Sequence, residues 1–299
     1  MDSSTPIVKL KLDIIFKRIF GDQNNTDVIA AFISEMLDIP RESIDNIIID
    51  NVELTPEYLD EKFSRLDLKL DVDGRTVNIE MQVNYEPDFK ERTLYYWSKI
   101  FSDELKTGER YGKLNETICI NIINFNLFQN KEQYHSKFVP MEITRHEILS
   151  EKASIHFFEL KKVNESRKHK PVEDWLDLIN AETEGDLMTI ENKTTIPEVK
   201  KTIVMLRQLS GDEKLRKEAY YREKRLHDEA SALGNARDEG YAKGREKGLE
   251  EGIAKGREEG IAKGREEGIA KGKSEIIEYL LSKGLSKDYL NSLLENNTT

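Results

Sequence analysis

The sequence predicts an α/β domain built on a mixed sheet, followed by a helical C-terminal extension, and three observations lead to this prediction. Segments with helical and with strand-like apolar spacing alternate along residues 1–160, as they do in α/β proteins. Residues 161–230 are polar, poor in strand patterns and rich in helix-forming stretches. From Gly240 to Gly272, glycine occupies every fourth position. We therefore divide the chain into an α/β domain (1–160), a helical appendage or linker (161–230) and a charged glycine repeat with terminal amphipathic helices (231–299).

Two amphipathic helices open the chain. Apolar residues recur at helical spacing in KLKLDIIFKRIFGD (9–22) until Gly21, and in TDVIAAFISEMLDI (26–39) until Pro40. The apolar run ETICINIINFNLF (116–128) is typical of a central strand that is covered on both faces. The other predicted elements are a strand at 46–54, a hairpin at 64–84, a helix at 86–108 and strands at 137–150 and 153–160.

The predicted hairpin brings two acidic residues together. Asp73 and Gly74, flanked by alternating residues, indicate a two-residue turn, so the numbers of opposed residues sum to 147 and Asp67 faces Glu80. The alternation specifies the same register, because a slip by one residue would exchange the two faces. One face is then apolar, and the other carries the polar residues Asp67, Lys69, Asn78, Glu80 and Gln82.

Opposed carboxylates in a hairpin have a chemical use. Their Cβ atoms lie about 5 Å apart, where like charges repel. A divalent cation converts this repulsion into a binding site, and Mg²⁺ is often held by one or two carboxylates plus waters. Such a cation acidifies water and stabilises charge on a phosphate under attack. The alternative interpretation is a solvated polar face on an edge hairpin.

The order of the elements resembles a known nuclease core. A helix, a strand, a hairpin with Asp on one strand and Glu-x-Gln on the next, and a further helix are similar to the PD-(D/E)XK restriction-endonuclease-like core. More narrowly, residues 1–160 resemble the Rpn family of recombination-promoting nucleases and transposases. The matching stretches are LDIIFKRIFGD (12–22), RLDLKLDVDGRTVNIEMQ (65–82), ERTLYYWSKIF (91–101) and INIINFNLF (120–128).

The resemblance implies a set of catalytic and metal-binding residues. Asp67 matches the first acid of the motif and Glu80 the second, and together they would hold Mg²⁺ or another divalent cation. Gln82 stands where the general fold usually has a lysine, which departs from the pattern because an amide carries no charge. Lys69 lies one pleat from Asp67 on the same face and is a candidate for the missing cation. This departure favours modest activity and keeps an inactive, DNA-binding protein as an alternative.

Further candidates lie on the two helices that flank the hairpin. Asp13 is a candidate third metal ligand, and the alternative is a surface ion pair with Lys17 four residues later. Arg92, Tyr95 and Tyr96 are candidates for contacts to DNA phosphate, sugar or base. For the tyrosines, packing of the helix against the sheet is the alternative interpretation.

Composition excludes several other classes. A net charge of -11 argues against a protein that coats nucleic acid, although a local basic rim would still serve one cleft. The single cysteine, Cys119, lies in an apolar run and is interpreted as a packed thiol. The five histidines lack zinc-ligand spacing, and no glycine-rich phosphate loop follows a strand. With no apolar signal segment and no membrane-length apolar run, we expect a cytoplasmic protein without membrane contact.

The glycine repeat is predicted to be a device for helix association. IAKGREEG occurs at 253–260 and at 261–268, and the related YAKGREKG at 241–248. Each glycine costs a helix about 1 kcal/mol relative to alanine, yet the intervening Ala, Lys, Arg and Glu are good helix formers. A glycine stripe allows another backbone to approach closely. We therefore expect a homo-oligomer formed through the repeat, and a flexible charged tether is the alternative.

Together these features predict a Mg²⁺-dependent DNA endonuclease of low sequence specificity. The resemblance implies a bacterial role in recombination or transposition, or in defence against foreign DNA such as phage. The first alternative is a catalytically weak or inactive transposase-like protein that binds DNA. The second is a regulatory oligomerisation module, in which a C-terminal fragment starting near Met188 or Met205 binds the full-length chain and restrains it.

Overall fold

A six-stranded mixed sheet lies at the centre of the domain formed by the first part of the chain. The computed structural model describes residues 2–50, 68–105, 108–129, 131–163 and 169–290. Helices cover both faces of this sheet. In chain order the elements are α1 (Asp13–Phe20), α2 (Thr26–Leu37), β1 (Ile47–Asp50), β2 (Leu68–Val72), β3 (Arg75–Gln82), α3 (Phe89–Asp103), β4 (Thr117–Ile123), β5 (His135–Phe138), β6 (Met141–Glu142), β7 (Glu147–Ile148), β8 (Ala153–Glu159), α4 (Pro171–Asn180), α5 (Glu184–Lys193), α6 (Pro197–Gly211) and α7 (Glu213–Ser282).

The strand order is β1-β2-β3-β4-β8-β5, and β6 with β7 forms a separate two-stranded sheet. Strands β3, β4 and β8 run parallel, whereas β1, β2 and β5 are antiparallel to their neighbours. Every residue of β4 is buried, as the apolar run 116–128 predicted for a central strand, and every residue of β8 is buried as well. The mixed α/β fold with a helical extension is therefore confirmed. Among the described helices, none is long and apolar enough to cross a membrane.

The hairpin register is as the turn predicts. Asp73 and Gly74 both have positive φ, 53° and 78°, as a two-residue type I′ turn requires. Leu68 pairs with Ile79, and the following pairs keep the same sum of residue numbers. The Asp73 carboxylate accepts hydrogen bonds from the backbone N–H of residues 45 and 46, at 3.1 and 2.8 Å, and so ties the turn to the segment before β1.

One large core covers the face of the sheet that α1 and α2 contact. Phe20 and Phe32 lie 4.7 Å apart between ring centroids, and Phe32 lies 5.4 Å from Trp175 of α4. Trp175 is fully buried, and apolar side chains of α4, α5 and α6 belong to the same core. The opposite face of the sheet packs against α3 through a second cluster that includes Phe89 and Phe157. The central strands β4 and β8 are thus buried on both faces, whereas the edge strands β1 and β5 are partly exposed.

Residues 161–230 differ from the appendage or linker expected from their polar composition. The chain forms two compact units, Met1–Ala230 and Ser231–Thr299, and α4, α5 and α6 belong to the first. The reason is that each short helix carries a narrow apolar stripe, and these stripes bury Leu176, Leu187 and Ile203 completely in the main core.

The glycine repeat is helical. All nine glycines from 240 to 272 lie within α7, and a Cβ built on any of them meets no heavy atom within 4 Å apart from its chain neighbours and the adjacent backbone of its own helix. Lys and Glu four residues apart form a series of surface ion pairs along the helix, for example Lys247–Glu251 at 3.7 Å. Such pairs each stabilise a helix by about 0.2–0.5 kcal/mol, which offsets part of the cost of the glycines.

Candidate functional site

A cleft opens beside the carboxyl end of β3. It is formed by α1, the end of β3 with the segment that follows, the start of α3 and the first turns of α7. Its charged lining residues are Lys11, Asp13, Lys17, Glu80, Glu86, Arg92, Arg222 and Arg225. The fold therefore brings five of the residues predicted from the sequence into one cleft, namely Asp13, Lys17, Glu80, Gln82 and Arg92. Asp67 lies outside the described residues.

Glu80 lies on the half-covered face of β3, where its side chain is partly buried. Its Oε1 atom is 3.4 Å from Nδ2 of Asn78, which is itself buried on the same face. Cys119 of β4 pairs with Asn78. Burial, and then the nearby Glu80 carboxylate, raise the pKa of the Cys119 thiol, so this cysteine is protonated and packed at neutral pH.

Both ends of the Gln82 amide are engaged in hydrogen bonds. Arg92 Nη2 donates to Gln82 Oε1 at 2.8 Å, and Gln82 Nε2 donates to the carbonyl oxygen of Asn84 at 2.8 Å and to Glu86 Oε1 at 3.2 Å. Because arginine has only donors, its contact fixes which end of the amide is the oxygen. Arg92 also pairs with Glu86. The position that lacks a lysine is thus in direct contact with a guanidinium group.

The other predicted cation lies elsewhere. The Nζ atom of Lys69 is 4.0 Å from the Asp50 carboxylate of β1, and Lys69 is not among the residues that line the cleft. Tyr95 and Tyr96 do not line the cleft either. Tyr96 is 5% exposed, as expected for packing of the helix on the sheet, whereas Tyr95 is 47% exposed.

Asp13 is held by an arginine of α7. Arg222 contacts both carboxylate oxygens of Asp13, with Nε 2.7 Å from Oδ1. Asp13 and Glu80 bring oxygen donors of the type that Mg²⁺ prefers to the same cleft. Within the described ranges, no group of three or more His, Cys, Asp or Glu residues is arranged to hold a metal ion. The carboxylates of Asp13 and Glu80 have the chemistry that suits such a cation, although Arg222 already holds both oxygens of Asp13.

Comparison with known proteins decides the family. The sequence model for the PD-(D/E)XK nuclease family transposase matches residues 10–236, which is about three quarters of the chain. The chain belongs to this family. The resemblance to nuclease-like transposases found in the sequence is thereby confirmed. No curated protein and no solved structure matches the chain.

For a PD-(D/E)XK nuclease family transposase, DNA is the substrate class and divalent metal ions are the typical cofactors. The matched region continues through α4, α5 and α6 and into α7. It therefore includes Arg222 and Arg225, two cleft residues that sequence reasoning missed. The pattern offers no signal for them, because 209 positions separate Arg222 from Asp13 and the polar composition of residues 161–230 predicts an appendage.

Proposed function

We propose that this PD-(D/E)XK family protein is a metal-dependent DNA endonuclease that hydrolyses phosphodiester bonds with low sequence specificity. One observation carries the proposal: Glu80, Gln82 and Arg92 lie together in a cleft that is lined by three helices and the end of a strand. The cellular setting that we propose is recombination or transposition, or defence against foreign DNA.

In this proposal Glu80 and Asp67 hold the divalent cation. The register rule that holds for Leu68 and Ile79 predicts Asp67 opposite Glu80, one pair further along the hairpin. When bound, the cation acidifies water and stabilises negative charge on the phosphate. Asp13 as a third ligand stays a prediction, and it requires the Asp13 carboxylate to exchange its contact with Arg222 for the cation.

Arg92 supplies the positive charge that Gln82 lacks. The guanidinium lies in the cleft, is held by Gln82 and Glu86, and packs 5.0 Å from the centroid of the Phe89 ring. A charged donor beside the metal-binding carboxylate is suited to stabilise a phosphate whose charge increases during attack. Gln82 then positions Arg92. Contacts to phosphate oxygens carry no sequence information, which is the reason for proposing low specificity.

The test is cleavage of supercoiled plasmid in the presence of Mg²⁺. We expect E80Q to lower the cleavage rate on the order of 10²-fold or more, as loss of a group that stabilises transition-state charge typically does. E91Q is the matched control, because Glu91 is an exposed carboxylate on α3 that does not line the cleft. Mg²⁺ is expected to raise the melting temperature of the parent and of E91Q, but not that of E80Q. Equal nicking by the parent and E80Q, or by the parent and D67A, refutes the assigned site.

A non-cleaving DNA-binding protein is the second candidate. The observation that favours it is the Gln82 amide, whose donor end is already bonded to Asn84 and Glu86. In that case the parent protein binds DNA without added metal and does not cleave it. The same plasmid assay, paired with a binding measurement in EDTA, separates the two candidates.

We also propose that a second copy of the chain associates with this one through the repeat helix. The repeat exposes its glycines, and Ile253, Ile261 and Ile269, each one residue after a glycine, are 52–63% exposed. Residues spaced four apart form a row that is inclined to the helix axis. When two helices pack through such rows, their axes cross in a right-handed sense at roughly -40° to -50°. A C-terminal fragment that contains the repeat would bind the full-length chain in the same way and restrain it.

A further inference from the structure

The cleft is basic in an acidic protein. Among the described residues, eight charged side chains line it, five cations and three carboxylates, a balance of +2 that the predicted Asp67 would lower to +1, whereas the whole chain carries -11. A polyanion is attracted to such a surface, because contacts between cations and phosphates release condensed counterions. Two of the five cations, Arg222 and Arg225, come from α7 and have no role in the proposed hydrolysis.

The first turns of α7 are fixed beside the end of β3. Leu215 and Ala219 are buried in the main core. Asn84, two residues after Gln82, donates from Nδ2 to the carbonyl oxygen of Leu226 at 2.7 Å. The helix segment that carries the two arginines is therefore held on both sides. The buried Leu215 and Ala219 hold it before Arg222, and the hydrogen bond from Asn84 to Leu226 holds it after Arg225.

Arg222 is preorganised by Asp13. The bidentate contact uses two of the five N–H groups of the guanidinium and holds its plane in the cleft wall. Arg225 follows three residues later on the same side of the helix, and its Nε atom is 3.8 Å from Glu229 in an exposed pair. One arginine is thus held rigidly at the wall, and the other lies at the solvent edge of the same cleft.

We propose that Arg222 and Arg225 bind phosphate groups of the DNA strand that enters the cleft, so that the start of α7 is part of the substrate-binding surface. The inference rests on the proposed function, which makes DNA the ligand. Arginine suits this role because its planar fork matches two phosphate oxygens and stays charged at all working pH values. Asp13 acts here as a positioning residue, which holds Arg222 towards the ligand.

The experiment measures binding rather than cleavage, with full-length protein, a fluorescent DNA duplex and EDTA. The equilibrium constant is determined by anisotropy over a series of salt concentrations. Loss of one cation–phosphate contact lowers the slope of log K against log[salt] by about 0.9. We expect a decrease of about 1 for R225Q and about 2 for R222Q/R225Q, with weaker binding in both.

R216Q is the matched control, because Arg216 is exposed on the same helix, outside the cleft and half a turn around from Arg225. It removes the same charge and should leave the slope unchanged. R222Q leaves the Asp13 carboxylate without its partner, so D13N/R222Q, which removes both charges, provides a second variant with an expected decrease of about 1. Circular dichroism melting verifies that each variant is folded.

The outcomes separate this inference from the proposed function. If R222Q/R225Q and R216Q have the same slope while the parent binds and cleaves DNA, the phosphate site is overturned and the nuclease proposal stands. If the variants show the predicted decreases in slope but the parent does not cleave DNA, the nuclease proposal fails and the phosphate site stands. If the parent binds no DNA, both fail.

Discussion

Replacement of Trp175 by alanine tests whether the helices of residues 161–230 and the sheet unfold as one unit. Trp175 is fully buried and contacts Phe20 and Phe32, with ring centroids 6.0 and 5.4 Å away. Truncation of a buried tryptophan costs about 3–5 kcal/mol, since it removes apolar burial and leaves a cavity. For a unit of this size, each 1 kcal/mol shifts the melting temperature by about 2–4 °C, so W175A should melt roughly 6–20 °C lower than the parent.

The assay uses Trp97, which becomes the only tryptophan in the variant. Trp97 lies on α3, across the sheet from Trp175, where Nε1 donates to the carbonyl oxygen of Thr117 at 3.2 Å and the ring stacks on Phe101 at 5.1 Å. W175F is the reference with the same single fluorophore. It should cost less, because phenylalanine fills most of the space and Trp175 Nε1 makes no hydrogen bond within the described residues.

If the first unit shares one core, Trp97 fluorescence reports the full loss of stability in W175A. Far-ultraviolet circular dichroism must then show the same midpoint. Alanine in place of Tyr111, which is 84% exposed, should change the free energy of unfolding by no more than about 0.5 kcal/mol. A Trp97 transition that is identical in W175A and W175F, with an earlier separate loss of helix signal, refutes the reasoning.

Two further predictions concern stability at low pH and self-association. Burial, and then the neighbouring His135, lower the pKa of His156 to about 3, so the unfolded chain binds a proton that the folded chain rejects. The contribution of the neutral His156 ring to the free energy of unfolding is therefore complete above about pH 6.5. Below that pH it falls by about 1.4 kcal/mol per pH unit. Urea titrations from pH 7 to 4 should show this slope in the parent and in H227Q, whose histidine is exposed, but a shallower one in H156Q. G256A/G260A should raise the helix content, because alanine is the better helix former by about 1 kcal/mol per residue, and yet weaken self-association measured by sedimentation. Stronger association of this variant contradicts packing through the glycines.

The elements that were predicted correctly are those whose cause is local in the chain. The hairpin register follows from the positive φ of Asp73 and Gly74 and from strict alternation, and both are properties of a few neighbouring residues. The apolar run that becomes β4 identifies a central strand for the same reason. Local patterns also placed Glu80 and Gln82 on one face of β3, but they carried no information about what covers that face.

Long-range packing decided the rest of the candidate site. Lys69 and Glu80 share a face of the hairpin, yet Lys69 pairs with Asp50 while Arg92 reaches Gln82. The choice between the two cations depends on where α3 and β1 pack, and alternation along a strand does not encode it. The cation beside Gln82 is therefore an arginine of the next helix.

By itself, the sequence determined the α/β class, the hairpin and the kinship with nuclease-like transposases, and it favoured a helix for the repeat while leaving a flexible tether as the alternative. Only the tertiary structure joined residues 161–230 to the main core and brought Arg222 to Asp13. The physical reason is the range of the interactions. Turn geometry and apolar periodicity act over a few residues, whereas a cleft is closed by whichever distant helix buries its apolar stripe against the core.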